Sequence, residues 1–413
     1  MGEKLDLTVE DISSEGHGVG RHQGLVVFVP FALRGERVRA RIYDRRSSFA
    51  RADLTDVLEP SLQRIDPPCP AFGRCGGCSW QMMSYSRQLE EKRLLLIRCL
   101  QRLARLTSGE DVVSETLPSP ALWGYRNRIR LHGDGRRLGF FAARSRQVVA
   151  LETCPVASPT IGRVLAGLEH PAVGQLPEVE IRSGDREDAL VGLPGPHPVP
   201  EELEQLLTDL PGVRGVALPG GETLGRCHLH HSLSGLRFRV SWPSFFQVND
   251  GAAEIAYSQI RYLVDSAPGD GLLDLYAGVG AAGLIASHDS PTPLLGIESA
   301  RSAVRDARHN AAMSGKAEAR FMPSQVERAL ENLKPGFSAA VLNPPRAGCS
   351  GEALRNLIRL KVPRLIYMSC NPATLARDVA RLAPYYQLER VVPIDMFPHT
   401  HHLESVSLLS RTG

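Results

Sequence analysis

Over residues 247–413, short apolar runs alternate with helical patterns, and no other feature narrows the possible folds as far. Residues 271–276, 294–298, 338–343 and 364–369 read as buried strands, each leading into a helical stretch. Strands joined by crossover helices run parallel. The segment therefore predicts an α/β fold with a mainly parallel, doubly wound sheet, whose ligand sites lie beyond the strand C-termini. The helix after the second strand is expected to bury Ala300, Ala303, Val304, Ala307 and Ala311.

The preceding sequence differs. Within residues 1–60, positions 5–9 and 38–43 alternate apolar and polar residues, 25–29 is strongly β-forming and 53–58 closes the series, with a glycine-rich turn at 15–20, the pattern of a small β-barrel. Asp66-Pro67-Pro68-Cys69-Pro70 reads as a linker, and residues 87–106 as a helix with Leu89, Leu96, Leu100 and Leu103 on one face. From 123 to 242 short β segments recur between Gly and Pro clusters. Three domains follow: 1–60, 61–242 and 243–413.

The 413 residues carry 48 Lys+Arg and 45 Asp+Glu, a net charge of +3. This near-neutral total conceals an asymmetry. Residues 1–150 hold 24 basic and 17 acidic side chains, whereas 151–413 hold 24 and 28. Arg34–Arg51 and Arg126–Arg146 are arginine-dense, and the planar guanidinium suits phosphate and base contacts, so nucleic acid is a candidate partner. No apolar run reaches the ~20 residues of a membrane span. Residues 1–6 lack a secretory pattern, and a cytoplasmic, monomeric protein without membrane contact is expected.

Five constellations carry chemistry. Asp274-Leu275-Tyr276-Ala277-Gly278-Val279-Gly280 ends one strand and opens a helix, while the next strand ends in Glu298. Glycines admit a ligand to the backbone, and an acid at that spacing suits ribose hydroxyls, so an adenosine-containing cofactor is expected. A tight structural turn would use the same glycines. Asn343-Pro344-Pro345-Arg346 follows another strand; a rigid loop or a base-edge contact would both fit. Met368-Ser369-Cys370-Asn371-Pro372 places a thiol at a strand end beside a helix N-terminus, which favours a nucleophilic thiolate over a buried structural cysteine. His399-Thr400-His401-His402-Leu403-Glu404 offers a general base in Glu404; a metal is disfavoured because adjacent ligands point apart in an extended chain.

The fifth constellation is Cys69, Cys75 and Cys78, with Cys154 further on, like Cys69 followed by proline. Disulfides are not expected in a cytoplasmic chain. Three clustered thiols with one distant fourth form a metal-ligand pattern, and Cys99, Cys227 and Cys349 lack comparable context. A Cys₄ zinc site and a [4Fe–4S] cluster both fit this spacing.

Taken together, these residues resemble the RNA 5-methyluridine methyltransferase family, specifically its cluster-bearing members that modify 23S ribosomal RNA. The likeness extends over nearly the whole chain. Phe28-Val29-Pro30 and Gly35-Glu36-Arg37-Val38 resemble a TRAM domain, an RNA-binding, OB-like barrel. Gly124-Tyr125-Arg126-Asn127-Arg128, Ser244-Phe245-Phe246-Gln247-Val248-Asn249, the Cys370 loop and Thr400–Glu404 follow in the family's order. The resemblance implies a Rossmann-like methyltransferase domain and a strand-rich central domain carrying a [4Fe–4S] cluster on Cys69, Cys75, Cys78 and Cys154. It also implies S-adenosylmethionine held by Gln247, Tyr276, Glu298 and Asn343, with Cys370 adding to uridine C6 and Glu404 as base. Asn343 stands where aspartate is frequent, and Ala281 and Ser324 replace polar and acidic residues. Methylation by this route needs no electron, so the cluster reads as a structural staple. Methylation of tRNA and a non-catalytic RNA-binding or ribosome-assembly role are the competing readings; the presence of both Cys370 and Glu404 favours an enzyme.

Overall fold

The computed structural model describes residues 2–107, 109–170, 172–265 and 271–412. Five strands, β1 (Lys4–Ile12), β2 (Gly18–His22), β3 (Leu25–Val29), β4 (Arg37–Arg45) and β5 (Phe49–Glu59), close into a barrel in the order β1-β2-β3-β5-β4. The alternation of β1 buries Leu5, Leu7 and Val9 inside the barrel and leaves Lys4 and Asp6 outside. Much of the barrel's arginine is neutralised on the surface. Arg37 pairs with Glu59 at 2.7 Å, Arg39 with Asp6 at 2.8 Å and Arg45 with Glu3 at 2.6 Å.

A helix, Tyr85–Ala104, follows the cysteine-bearing loop. Leu96 and Leu100 are buried as expected, but Leu103 is exposed. The buried face continues instead through Gln88, Glu91 and Lys92, because Glu91 is met by Arg34, Arg87 and Arg98, and Lys92 by Asp395.

The central sheet comprises β6 (Arg128–Gly133), β7 (Leu138–Phe141), β8 (Val148–Ala150), β9 (Glu178–Ser183), β10 (Ala189–Gly192), β11 (Val213–Ala217) and β12 (Thr223–Gly225), in the order β12-β11-β10-β9-β6-β7-β8. A separate hairpin, β13 (His228–Leu233) with β14 (Leu236–Ser241), packs toward the C-terminal domain.

That domain is a seven-stranded sheet of β15 (Leu272–Leu275), β16 (Leu294–Glu298), β17 (Arg320–Pro323), β18 (Ala339–Leu342), β19 (Arg364–Ser369), β20 (Tyr386–Ile394) and β21 (Glu404–Arg411), in the order β17-β16-β15-β18-β19-β21-β20. The first five strands of that order run parallel, as their helical connections require; β21 and β20 close the edge antiparallel. Two apolar clusters fill the domain, one reached by Ile366 and Met368, the other by Leu365 and Tyr367, from alternate faces of β19. Ala303, Val304, Ala307 and Ala311 are buried on the helix Arg301–Met313; Ala300 is its exposed N-cap.

Candidate active site

Strand β19 ends at Ser369, so Cys370 is the first residue beyond the sheet. Asn371 turns the chain: its Oδ1 accepts the Ala373 N–H at 3.1 Å, and Pro372 begins the helix Pro372–Leu382. Because β21 runs antiparallel to β19 with Ser405 opposite Ser369, Glu404 falls beside Cys370 across the ladder. The two residues, 34 apart in sequence, are brought together by pairing of adjacent strands.

Glu404 is 3 % exposed, and its Oε1 has no hydrogen-bond partner. Burial pushes its carboxyl up to about 8, against the pull of the Arg346 guanidinium. The Cys370 thiol is also raised, by burial first and by Glu404 second, while Arg346 lowers it by its charge and a hydrogen bond. A helix N-terminus alone was expected to yield a ready thiolate; desolvation and a neighbouring carboxyl outweigh it here. Arg346 was not singled out from sequence. Its loop is pinned where its carbonyl accepts Asn371 Nδ2 at 3.2 Å and Thr374 Oγ1 at 3.3 Å. Ser14, Cys99, Arg346, Cys370, His401 and His402 line one concavity of about 330 Å³, so the barrel contributes to its wall.

The segment before Glu404 receives contacts from the barrel, the long helix and the segments on either side of that helix. Trp80 N–H donates to the His399 carbonyl at 2.9 Å, Gln88 Oε1 accepts the His399 N–H at 2.8 Å, and Tyr125 donates to the Pro398 carbonyl at 3.1 Å. Lys92 pairs with Asp395, both fully buried, and also donates to the Phe397 carbonyl at 3.0 Å. From the barrel, Gly16 lies so close that a Cβ there would sit 2.5 Å from His401 Cβ. The segment is a turn rather than an extended strand, and His401 and His402 have ring centroids 4.1 Å apart instead of diverging. Burial lowers His399 and His402 to about 4 and His401 to about 3, so all three are neutral at pH 7.

At the C-terminal edge of β15, Tyr276 adopts φ 58°, a left-handed conformation rare for non-glycine residues. Glu298 closes the glycine turn: its Oε2 accepts the Gly278 N–H at 3.0 Å and its Oε1 the Ala300 N–H at 2.7 Å. Asn343 N–H donates to the Leu275 carbonyl at 3.2 Å, bringing Asn343 alongside Tyr276. Gln247 is buried; its carbonyl accepts Asn127 Nδ2 at 2.9 Å, and the adjacent Phe246 shares an apolar cluster with Ala277, Val279 and Ala281. Tyr276 turns its phenol onto Cys349, a residue that seemed without context, which itself adjoins Tyr367 and Asp378. Beneath the turn, Asp274 is fully buried, bonded to Gly283 N–H at 3.0 Å and raised to about 7.

Cys69, Cys75, Cys78 and Cys154 line a single cavity of about 310 Å³, which shares Arg346 and His402 with the concavity at Cys370. Burial pushes Cys78 up to about 12 and raises Cys75 and Cys154; nearby thiols add to each shift. Among the described residues, no three His, Cys, Asp or Glu side chains are grouped as a single metal ion would require. All eight cysteines are free thiols.

Residues 234–412 match the tRNA (Uracil-5-)-methyltransferase family and residues 1–55 the TRAM domain. An uncharacterised RNA methyltransferase of Thermosynechococcus vestitus is 33% identical over 100% of this chain and 99% of its own length. Another, from Caldanaerobacter subterraneus, is 32% identical with the same coverage. The crystal structure of Pyrococcus abyssi tRNA (uracil-54, C5)-methyltransferase in complex with S-adenosyl-L-homocysteine superposes with a TM-score of 0.78, at 25% identity, over 98% of this chain and 99% of that one. The matched family domain and the full-length relatives thus define an RNA methyltransferase. The chain belongs to the RNA methyltransferases whose C-terminal domain is of the tRNA (Uracil-5-)-methyltransferase family, preceded by a TRAM domain.

Proposed function

We propose that the protein transfers a methyl group from S-adenosylmethionine to C5 of a uridine in RNA, with 23S ribosomal RNA as substrate and Cys370 and Glu404 as the catalytic pair. The observation that carries this reading is the antiparallel register that sets Glu404 beside Cys370, with Arg346 acting on both. Uridine C5 is a weak nucleophile. Addition of the Cys370 thiolate to C6 moves the C5=C6 pair toward O4 as an enolate, whose C5 then attacks the sulfonium methyl and releases S-adenosylhomocysteine. Glu404 removes the C5 proton, and the returning electron pair expels the Cys370 thiolate. Glu404 must itself be ionised for this step; Arg346 favours that form.

Gln247, Tyr276, Glu298 and Asn343 hold the methyl donor in this reading. Three of them stand at the C-terminal edge of the sheet, where such folds bind nucleotides, and the Pyrococcus relative carries the demethylated donor. Cys69, Cys75, Cys78 and Cys154 hold a [4Fe–4S] cluster: four thiols around one cavity, most of them raised by burial, are relieved when a cationic group takes them as thiolates. The bound cluster would supply a covalent link between the 69–78 loop and the Cys154 segment. In this reading the protein acts as a monomer in the cytoplasm. The tRNA activity named for the Pyrococcus relative favours a second reading, with tRNA as substrate.

The test is methylation of 23S rRNA and tRNA transcripts, with 5-methyluridine mapped by mass spectrometry. Cys370→Ala abolishes transfer, and Glu404→Gln accumulates an RNA adduct that survives denaturant. Turnover by Cys370→Ala would refute the covalent step, and label in tRNA alone would overturn the substrate.

A further inference from the structure

Away from the candidate active site, the central sheet and the β13–β14 hairpin enclose a concavity of about 670 Å³. Its walls carry Arg186 from the β9–β10 turn, Arg214 from β11, Arg226 after β12 and Arg237 from β14. Asp188 is the acidic side chain of that lining, and both its oxygens are engaged, by Arg214 at 2.8 Å and Arg226 at 3.0 Å. Arg237 stands 3.5 Å from Asp185, beside the cavity. Arg186 is exposed and makes no ion pair among the described residues. His228 and His230 complete the wall. Burial and then the surrounding arginines lower both, His230 to about 4, so they are neutral hydrogen-bonding groups at pH 7.

This concentration of cations lies within residues 151–413, where acidic side chains outnumber basic ones 28 to 24. It is also built in place: the Asp185 N–H donates to the His230 carbonyl at 2.8 Å, tying the turn to the hairpin. Guanidinium groups fixed around a concave, solvent-open surface match the phosphate oxygens of a polyanion. Part of the arginine of residues 1–150 is likewise paired. Arg128 and Arg130 share Glu180 at 2.8 and 2.9 Å, and Arg144 pairs with Asp53.

We propose that this concavity, whose four arginines outnumber Asp185 and Asp188 by two charges and of which Arg186 is unpaired among the described residues, binds the phosphodiester backbone of the RNA substrate outside the nucleotides at the active site. The proposal rests on the reading of the protein as an RNA methyltransferase and adds a second anchoring point to it.

The test uses the full chain with Arg186→Gln and Arg237→Gln combined, sparing Arg214 and Arg226, whose loss would strand Asp188. Binding of a 23S rRNA transcript is titrated by filter retention from about 0.05 to 1 M salt, beside a uridine-bearing oligomer of about ten nucleotides. Each lost phosphate contact lowers the slope of log K against log salt by ~0.7–0.9, so the double variant loses ~1.5 in slope and on the order of 20-fold in affinity at 0.15 M salt. Affinities converge near 1 M, and oligomer binding and the thermal melt stay as in the wild type. An unchanged slope on the long RNA, or an equal loss on the short oligomer, would overturn the proposal. Binding is read without methyl transfer, so a failure of the C5-methylation reading shows as absent 5-methyluridine in the wild type and leaves this comparison standing.

Discussion

Replacing Glu404 by glutamine should make the protein more stable as the solution becomes more alkaline, while ending turnover. The carboxyl titrates at about 8 in the folded chain against an ordinary value of 4.5, because it is buried and its Oε1 lacks a partner. A folded-state pKa above the unfolded one means that the native protein retains a proton which the unfolded chain gives up. Stability from this group is therefore complete below pH 4.5, declines through the window up to about 8, and is lost above it. A displacement of about 3.5 pH units at 1.36 kcal/mol each sets a ceiling of about 5 kcal/mol. Glutamine does not titrate and carries no such slope. An amide that finds no partner adds an offset, but that offset is independent of pH, so the slope is the quantity to read. Asp274, raised to about 7, bends both curves alike and cancels in the comparison. Calorimetric melts at half-unit steps from pH 5 to 9 should show the variant gaining on the wild type by roughly 10 °C across the window, at 2–4 °C per kcal/mol for a domain of this size. Parallel curves would refute the account, since they would mean that Glu404 ionises as freely in the native protein as in the unfolded chain.

Arg346→Gln should slow alkylation of Cys370 by iodoacetamide several-fold at pH 8, because both the charge and the hydrogen bond that favour the thiolate are gone; an unchanged rate would remove Arg346 from the site. Gly16→Ala forces φ 77° on a residue with a Cβ and sets that atom 2.5 Å from His401 Cβ, so methylation should fall while an isolated barrel fragment melts about 1 kcal/mol less stably. A full retention of activity would show that the barrel's approach to His401 is dispensable. Cys75→Ser should yield protein with little bound iron, measured by metal analysis of the anaerobically purified chain, and with reduced soluble yield. Activity of the wild type should rise from pH 6 to 8.5, since Cys370 and Glu404 must both lose protons and both are raised; a flat profile would contradict that.

Four of the five parallel strands were legible because each is a short, mostly apolar run, and β16 and β19 have the bounds the pattern assigns, as β3 does in the barrel; β17, which buries only Phe321, gave no such run. The central sheet was not, because its strand order departs from sequence order and includes the parallel neighbours β10 and β11, which no local periodicity reveals. The long helix misled at Leu103, since a charged face can be buried once Arg34 and Asp395 arrive from elsewhere to meet it, beside Arg98 of the helix itself. The same limit hid Arg346, whose part depends on two residues carried to it by β19 and β21. Charge counting located an arginine excess in residues 1–150, where much of it proves paired, and passed over the concavity at Arg186, which lies in a stretch of net negative charge.

Strand β21 lies between β19 and β20, although it follows both in sequence. While the chain is being made, Cys370 and the five parallel strands can assemble before residues 404–411 have left the ribosome, but the edge of β19 stays open and Glu404 is missing. A nascent or shortened chain is thus an open-edged fragment without Glu404, and the late pairing of β21 with β19 closes the sheet and completes the proposed catalytic pair in the same event.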